Sequence, residues 1–302
     1  MAAMLDCPVK LPGILLILIA FICCRPAHAQ DGAASLLDHY EEAREYCLEL
    51  VNELRSDNGL PSVRLEPLAS ELALQHARDM AEAGYFSHWD MQGHKPTRRY
   101  NELGGMHGLG ENIFFAEYQA GGWQRVIDEA MDSLEASSGH RATMLNPGYT
   151  DVGLGMAVNG SRVYLVQEFI CRAGGNYACP LKARVGDVVS FSGQFDPKRY
   201  ALNYILLRHE PLPELREQRW LNNTGTYSEG DTMFAVYTPH TERRFNVDTY
   251  YDVGLKDDGR IDARLLLDYK GKPGSYYVIL MLHDTRTGGE VKAACVAIEV
   301  LK

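Results

Sequence analysis

Basic residues are scarce in this chain. Its 302 residues carry 30 Lys and Arg against 40 Asp and Glu, a net charge of −10. A surface of that sign repels phosphate backbones and anionic lipid, which excludes nucleic-acid binding and docking on acidic membranes as main functions. No two cysteines stand at the C-x₂₋₄-C spacing either, so no zinc site of that kind can be built. Beyond Cys24 no apolar run is long enough to span a bilayer. There is no nucleophile-elbow sequence, no internal repeat and no low-complexity tract. Asp257, Asp258 and Asp262 lack the spacing of an EF-hand loop and read as a solvated turn.

What is present begins with an export signal. Lys10 precedes an apolar run from Leu11 to Cys24, followed by Ala27-His28-Ala29. The run is shorter than the roughly 20 residues of a membrane span and ends in a small-residue cleavage pattern. Residues 1–29 therefore read as a signal peptide. The product is expected outside the cytoplasm, extracellular or periplasmic, with no transmembrane segment left after cleavage. Residues 30–302 exceed a typical single domain, so two are expected.

Four of the seven cysteines lie beyond the signal: Cys47, Cys171, Cys179 and Cys295. An even number in an exported chain predicts two disulfides out of three possible pairings. Cys47–Cys171 and Cys179–Cys295 keep one bridge inside each domain. Asn159-x-Ser161 and Asn222-x-Thr224 are glycosylation sequons.

Apolar residues recur at three and four over 36–56, 67–83 and 124–136, which predicts three helices. Pro67 suits a first helical turn and Gly84 a stop. Ser137-Ser138-Gly139 ends the third helix, which would place His140 just past its terminus. Val152–Val158 and Arg162–Ile170 flank Asn159-Gly160, a hairpin signal. Between Gly84 and Gly122 periodicity fades and glycine is frequent, so a long loop anchored by aromatics is predicted. After residue 175 the pattern becomes short strands between turns: Val188–Ser192, Tyr204–Leu207, Met233–Tyr237, Ile261–Leu267, Ser275–Leu282 and Val291–Val300. That predicts a β-sandwich of immunoglobulin-like type over 176–302.

Three polar signatures carry the chemistry: Phe86-Ser87-His88, Gly110-Glu111-Asn112 and Gly139-His140-Arg141. Convergence of His88, Glu111 and His140 on one cleft is expected. Two imidazoles and a carboxylate suit Zn²⁺ or another divalent cation, with Glu111 binding directly or orienting a histidine. Without metal, one histidine could act as general base oriented by Glu111, with Ser87 or Ser137 as formal nucleophiles. The bland alternative is a buried histidine–carboxylate contact that pins a loop to a helix end. His76 reads as a surface or half-buried residue, His94 and His107 as residues that could rim the cleft, and Trp89 as an anchor.

Over about 125 residues these motifs resemble the CAP superfamily, the cysteine-rich secretory, venom-antigen and plant pathogenesis-related proteins, in its bacterial branch. The resemblance rests on Val51-Asn52-x-x-Arg55, Asn58-Gly59-Leu60, Ala77-x-x-Met80, Tyr85-Phe86-Ser87-His88, Gly110-Glu111-Asn112-Ile113, Ser137-x-Gly139-His140-Arg141, Gly153-x-Gly155 and Gln167-x-Phe169. It implies an α+β chain: an α-β-α sandwich over 30–175 with a central cleft of two histidines and one or two glutamates. His88, Glu111 and His140 match that cleft as candidate catalytic or metal-binding residues. Leu134 stands where a tryptophan is common, and Ser137 where a second glutamate is common. The resemblance implies a secreted binding protein engaging an extracellular protein, lipid or small ligand. A secreted, peptidase-like hydrolase is the alternative, and lipid or sterol carriage the third reading.

Overall fold

The computed structural model describes residues 31–118, 121–237 and 251–302. The expected signal peptide lies outside them. Helices α1 (Asp31–Asp38) and α2 (Tyr40–Asp57) lead to a short strand β1 (Arg64–Leu65) and then α3 (Pro67–Ala83). Next come α4 (Pro96–Glu102), β2 (Gly108–Glu117), α5 (Trp123–Ala136), α6 (Ser138–Met144), β3 (Asp151–Asn159) and β4 (Arg162–Cys171). The strands form one sheet in the order β1-β3-β4-β2.

This sheet has no wet face, because helices cover both sides. Val152, Leu154, Met156, Val163, Leu165 and Phe169 pack with α1, α2 and α5. Tyr164, Val166, Ile113 and Ala157 point the other way, onto α3. Alternation along β4 therefore places every side chain from Val163 to Ile170 in an interior. The near approach of α3 depends on two glycines. A Cβ on Gly153 would lie 2.0 Å from the Ala69 backbone, and one on Gly155 2.2 Å from Ala73. Only glycine permits that contact. Three layers, α-β-α, result.

The expected loop from 84 to 122 is only part loop. It contains α4 and the edge strand β2, which pairs along its length with β4. The first helix is likewise two, and His140, past the end of α5 as expected, lies inside a further short helix, α6.

The remaining strands are β5 (Gly174–Ala178), β6 (Lys182–Arg184), β7 (Val188–Phe195), β8 (Tyr200–Glu210), β9 (Thr232–Tyr237), β10 (Tyr251–Leu255), β11 (Arg260–Leu266), β12 (Gly274–Asp284) and β13 (Glu290–Leu301), with one short helix α7 (Gln218–Leu221). They form two sheets, β10-β11-β7-β5 and β6-β13-β12-β8-β9. Phe191, Ile261, Ala263 and Leu265 of the first meet Tyr276, Val278, Leu280, Val296 and Ile298 of the second in one core. Five of the six predicted strands lie within these elements, and the sixth, Ile261–Leu267, runs one residue past the end of β11.

The expected disulfides are absent: Cys47, Cys171, Cys179 and Cys295 are all free thiols. Cys47 is buried among α2, α5 and the sheet, beside Met131 and Gln167. Cys171 and Cys179 belong to the core between the two C-terminal sheets, whereas Cys295 lies in a separate cluster with Tyr277 and Ile279. Neither predicted pair shares a cluster.

The two halves are knit together. Asn101 on α4 donates to the Gly105 and Cys295 carbonyls at 2.8 and 3.1 Å, and its Oδ1 accepts from the Ala297 amide at 2.7 Å. The segment between β8 and β9 lies across the α-β-α unit as a strap. Leu221 enters the core beside Met80 and Tyr85, fully buried at 0% exposure. Gln218 donates to the Ala83 and Gly84 carbonyls, and Asn222 Oδ1 accepts from the Phe86 amide.

Candidate functional site

The turn after α3 carries His88, the edge strand β2 carries Glu111, and α6 carries His140. All three border one cavity of about 550 Å³. His88 Nδ1 lies 2.6 Å from Glu111 Oε1. Because that carboxylate is ionised, Nδ1 carries the proton and donates, and in the neutral ring Nε2 is then an acceptor. His140 is set through its backbone: its carbonyl accepts from Asn112 Nδ2 at 3.1 Å, and the same amide reaches Gln167 Oε1. Below α6, the buried Arg55 donates to the carbonyls of Pro61, Met144, Asn146 and Tyr149. One guanidinium thus fixes both the end of α6 and the turn that follows. Burial, with His88 nearby, lowers the pKa of His140.

Glu111 has a second partner that sequence reading passed over. Arg99 on α4 donates to Glu111 Oε2 at 2.7 Å and to the His88 and His94 carbonyls at 2.7 and 3.0 Å. Burial pushes the Glu111 carboxyl up, but Arg99, helped by His76 and His88, outweighs it and holds the pKa well below the ordinary value. His76 corrects the surface reading. Its side chain is fully buried, its Nε2 donates to the Ser87 carbonyl at 2.8 Å, and Glu111 Oε2 lies 4.0 Å away. Burial and then Arg99 bring its pKa down to about 4, so it is neutral. Its sequence signal was its place between Ala73 and Ala77 on the apolar stripe of α3.

His94 pairs with Asp90, His107 packs edge-on against Tyr177, and neither lines the cavity. Trp89 packs edge-on to Trp220 and Tyr227. Ser87 Oγ accepts from the Trp89 amide, and among the described residues neither the Ser87 nor the Ser137 hydroxyl bonds to an imidazole. Gly110 makes room for Tyr149: a Cβ there would lie 2.1 Å from the tyrosine oxygen.

The far wall comes from the C-terminal half. Thr224, Thr226, Tyr227 and Glu229 of the strap and Lys292 of β13 border the same space. The Tyr227 ring lies 5.0 Å from that of His88, and Lys292 donates to Glu229 at 2.5 Å.

A dication fits these residues poorly. The Glu111 oxygens are engaged by His88 and Arg99, and the guanidinium would repel a second cation. Among the described residues no three His, Cys, Asp or Glu side chains are grouped to hold a metal ion.

A three-layer α-β-α domain whose cleft is made by two histidines and a buried glutamate defines the class of this protein. Residues 48–169 match the model of CAP, the cysteine-rich secretory protein family, and this domain belongs to that family. It is 30% identical over 140 residues to the uncharacterized protein YkwD of Bacillus subtilis, covering 46% of this chain and 50% of that protein. It is 32% identical over 126 residues to the uncharacterized membrane protein YlbC of the same organism, covering 41% of this chain and 33% of that one. The chain thus spans half or less of these relatives. Among solved structures, an extracellular protein containing a SCP domain from Bacillus anthracis is 26% identical with a TM-score of 0.37, over 43% of this chain and 41% of that one. No helix among the described residues is long and apolar enough to cross a membrane.

Proposed function

We propose that this is an extracellular binding protein that holds a small molecule between its CAP domain and an immunoglobulin-like C-terminal module. The reading divides the chain near residue 175 and takes residues 1–29 as an export signal. One observation carries it. The His88 ring is locked by Glu111, with Nε2 of the neutral ring left as acceptor, beside a cavity of about 550 Å³, a volume typical of ligand pockets, while among the described residues no hydroxyl is bonded to the His88 or His140 ring. A rigid acceptor without an activated nucleophile favours recognition over turnover.

The test is a fragment-library screen by NMR, following the ring signals of His88 and His140. Fragments that shift both rings, with binding lost in His88→Ala, support the reading. A library without a single cleft ligand sinks it. The His88–Glu111 contact also favours one rival, a hydrolase using His88 as base with His140 beside it. Ester or peptide turnover abolished by folded His88→Gln would replace binding with that reading.

A further inference from the structure

The charges around the cavity are all spoken for. Glu111 is paired with Arg99, and Glu229 with Lys292, and among the described residues no other carboxylate, Lys or Arg lines the space. What remains uncommitted is neutral and polar. Among the described residues the hydroxyls of Tyr149, Tyr227, Ser137 and Thr226 make no hydrogen bond, nor do His88 Nε2 and the His140 ring. Tyrosine and serine hydroxyls both donate and accept, and a neutral imidazole offers one of each. The apolar side chains of Phe86, Leu109 and Ile113 line the same space. Two aromatic rings, Tyr149 and Tyr227, stand among them.

An ionic ligand would have to compete with the two existing ion pairs. An acyl chain would leave four hydroxyls and two imidazoles dry and unpaired, which disfavours it. A neutral, polyhydroxylated molecule with C–H faces satisfies both the hydroxyls and the rings.

Building on the binding reading above, we propose that the cavity is a saccharide site completed by the C-terminal half, with Tyr227 as the determining contact from the strap. Tyr227 is the point of joint control. It meets His88 at 5.0 Å on the CAP side and is held by strap residues on either side, Asn222 on the Phe86 amide and Glu229 on Lys292. Both halves thus line one site.

The experiment uses the full exported chain, with isothermal titration and saturation-transfer NMR. The probes are glucose, N-acetylglucosamine, cellotetraose and chitotetraose, with glucuronate and palmitate as charged and acyl comparisons. Saturable binding of at least one neutral saccharide is expected, weakened at least tenfold by Tyr227→Ala and severalfold by Tyr227→Phe, with unchanged thermal unfolding. A single unit that binds as well as its tetrasaccharide identifies a free sugar as the ligand, and a tighter tetrasaccharide identifies a glycan. Absence of saturable binding by every neutral probe overturns the proposal. So does indifference to Tyr227→Ala, or glucuronate or palmitate binding tenfold tighter than any neutral sugar. Cleft-binding fragments combined with silent saccharides would overturn this inference alone and leave the binding reading standing.

Discussion

Glu111 and Glu168 stand opposite one another on β2 and β4, both with buried side chains, yet only Glu111 has cationic and imidazole partners. Neither oxygen of Glu168 has a hydrogen-bond partner among the described residues. Burial, followed by the adjacent Glu111 charge, raises its pKa well above the ordinary value, so Glu168 is a neutral acid. Removing the two carboxyls should therefore have unequal effects. Glu168→Gln, which replaces one neutral group with another, should change unfolding free energy by less than about 1 kcal/mol. Glu111→Gln strips the counter-charge from buried Arg99 and should cost about 3–5 kcal/mol. Urea denaturation at pH 7 measures both, and equal losses would refute the assignment of charge.

Acid should act through His76. Its folded pKa of about 4 lies below the ordinary 6.5, so the folded state resists protonation. Stability from this group is whole above pH 6.5 and is lost as pH falls toward 4, by about 3 kcal/mol. Glu168 works in the opposite sense, costing stability as pH rises above 4.5, while the depressed Glu111 adds a loss below 4.5. The difference between wild type and His76→Gln isolates the histidine. Their unfolding free energies should converge between pH 7 and pH 4.5. A constant difference would show that His76 is not buried neutral.

The thiols should behave as core atoms. Burial pushes Cys47 up to about 12, Cys171 to about 11 and Cys179 to about 12, and raises Cys295 as well. At neutral pH these groups are not thiolates and are poor nucleophiles. A chain starting at residue 31 should show little reaction with a thiol reagent when native and four equivalents when unfolded. Reductant should leave its melting temperature unchanged. Fewer than four equivalents under non-reducing denaturation would indicate a bridge.

The strap should report on the whole molecule. Leu221→Ala empties a fully buried position beside Tyr85 and should cost about 2–5 kcal/mol. It should also raise hydrogen exchange at the Phe86 amide, which Asn222 covers. Exchange unchanged at Phe86 would mean that the strap is held elsewhere.

Much of the first domain was legible because its periodicities are strong. The apolar stripes of α3 and α5 and the Asn159-Gly160 hairpin are local signals, and His88, Glu111 and His140 do border one cavity. What escaped were features set by the partner element. Strand β2 looked like loop because Gly108 and Gly110 serve close approach, to the Lys292 carbonyl and to Tyr149, rather than turning. Arg99 and Glu168 are ordinary charged residues until α4 and β4 carry them inward, although an acid amid the apolar run of β4 was a signal. Cysteine parity misled because these four thiols fill cores instead of pairing. The strap offered no local clue, since its role depends on a surface more than a hundred residues earlier.

The insertion of Leu221 has an architectural consequence. The CAP domain does not finish its own interior; a side chain from beyond position 200 is the stopper. A chain cut near residue 175 would keep every helix and strand of the α-β-α layers, yet leave an open socket between Met80 and Tyr85 and strip one bank of the cleft. The strap thus ties the second half to the first through one buried side chain and one shared cavity wall.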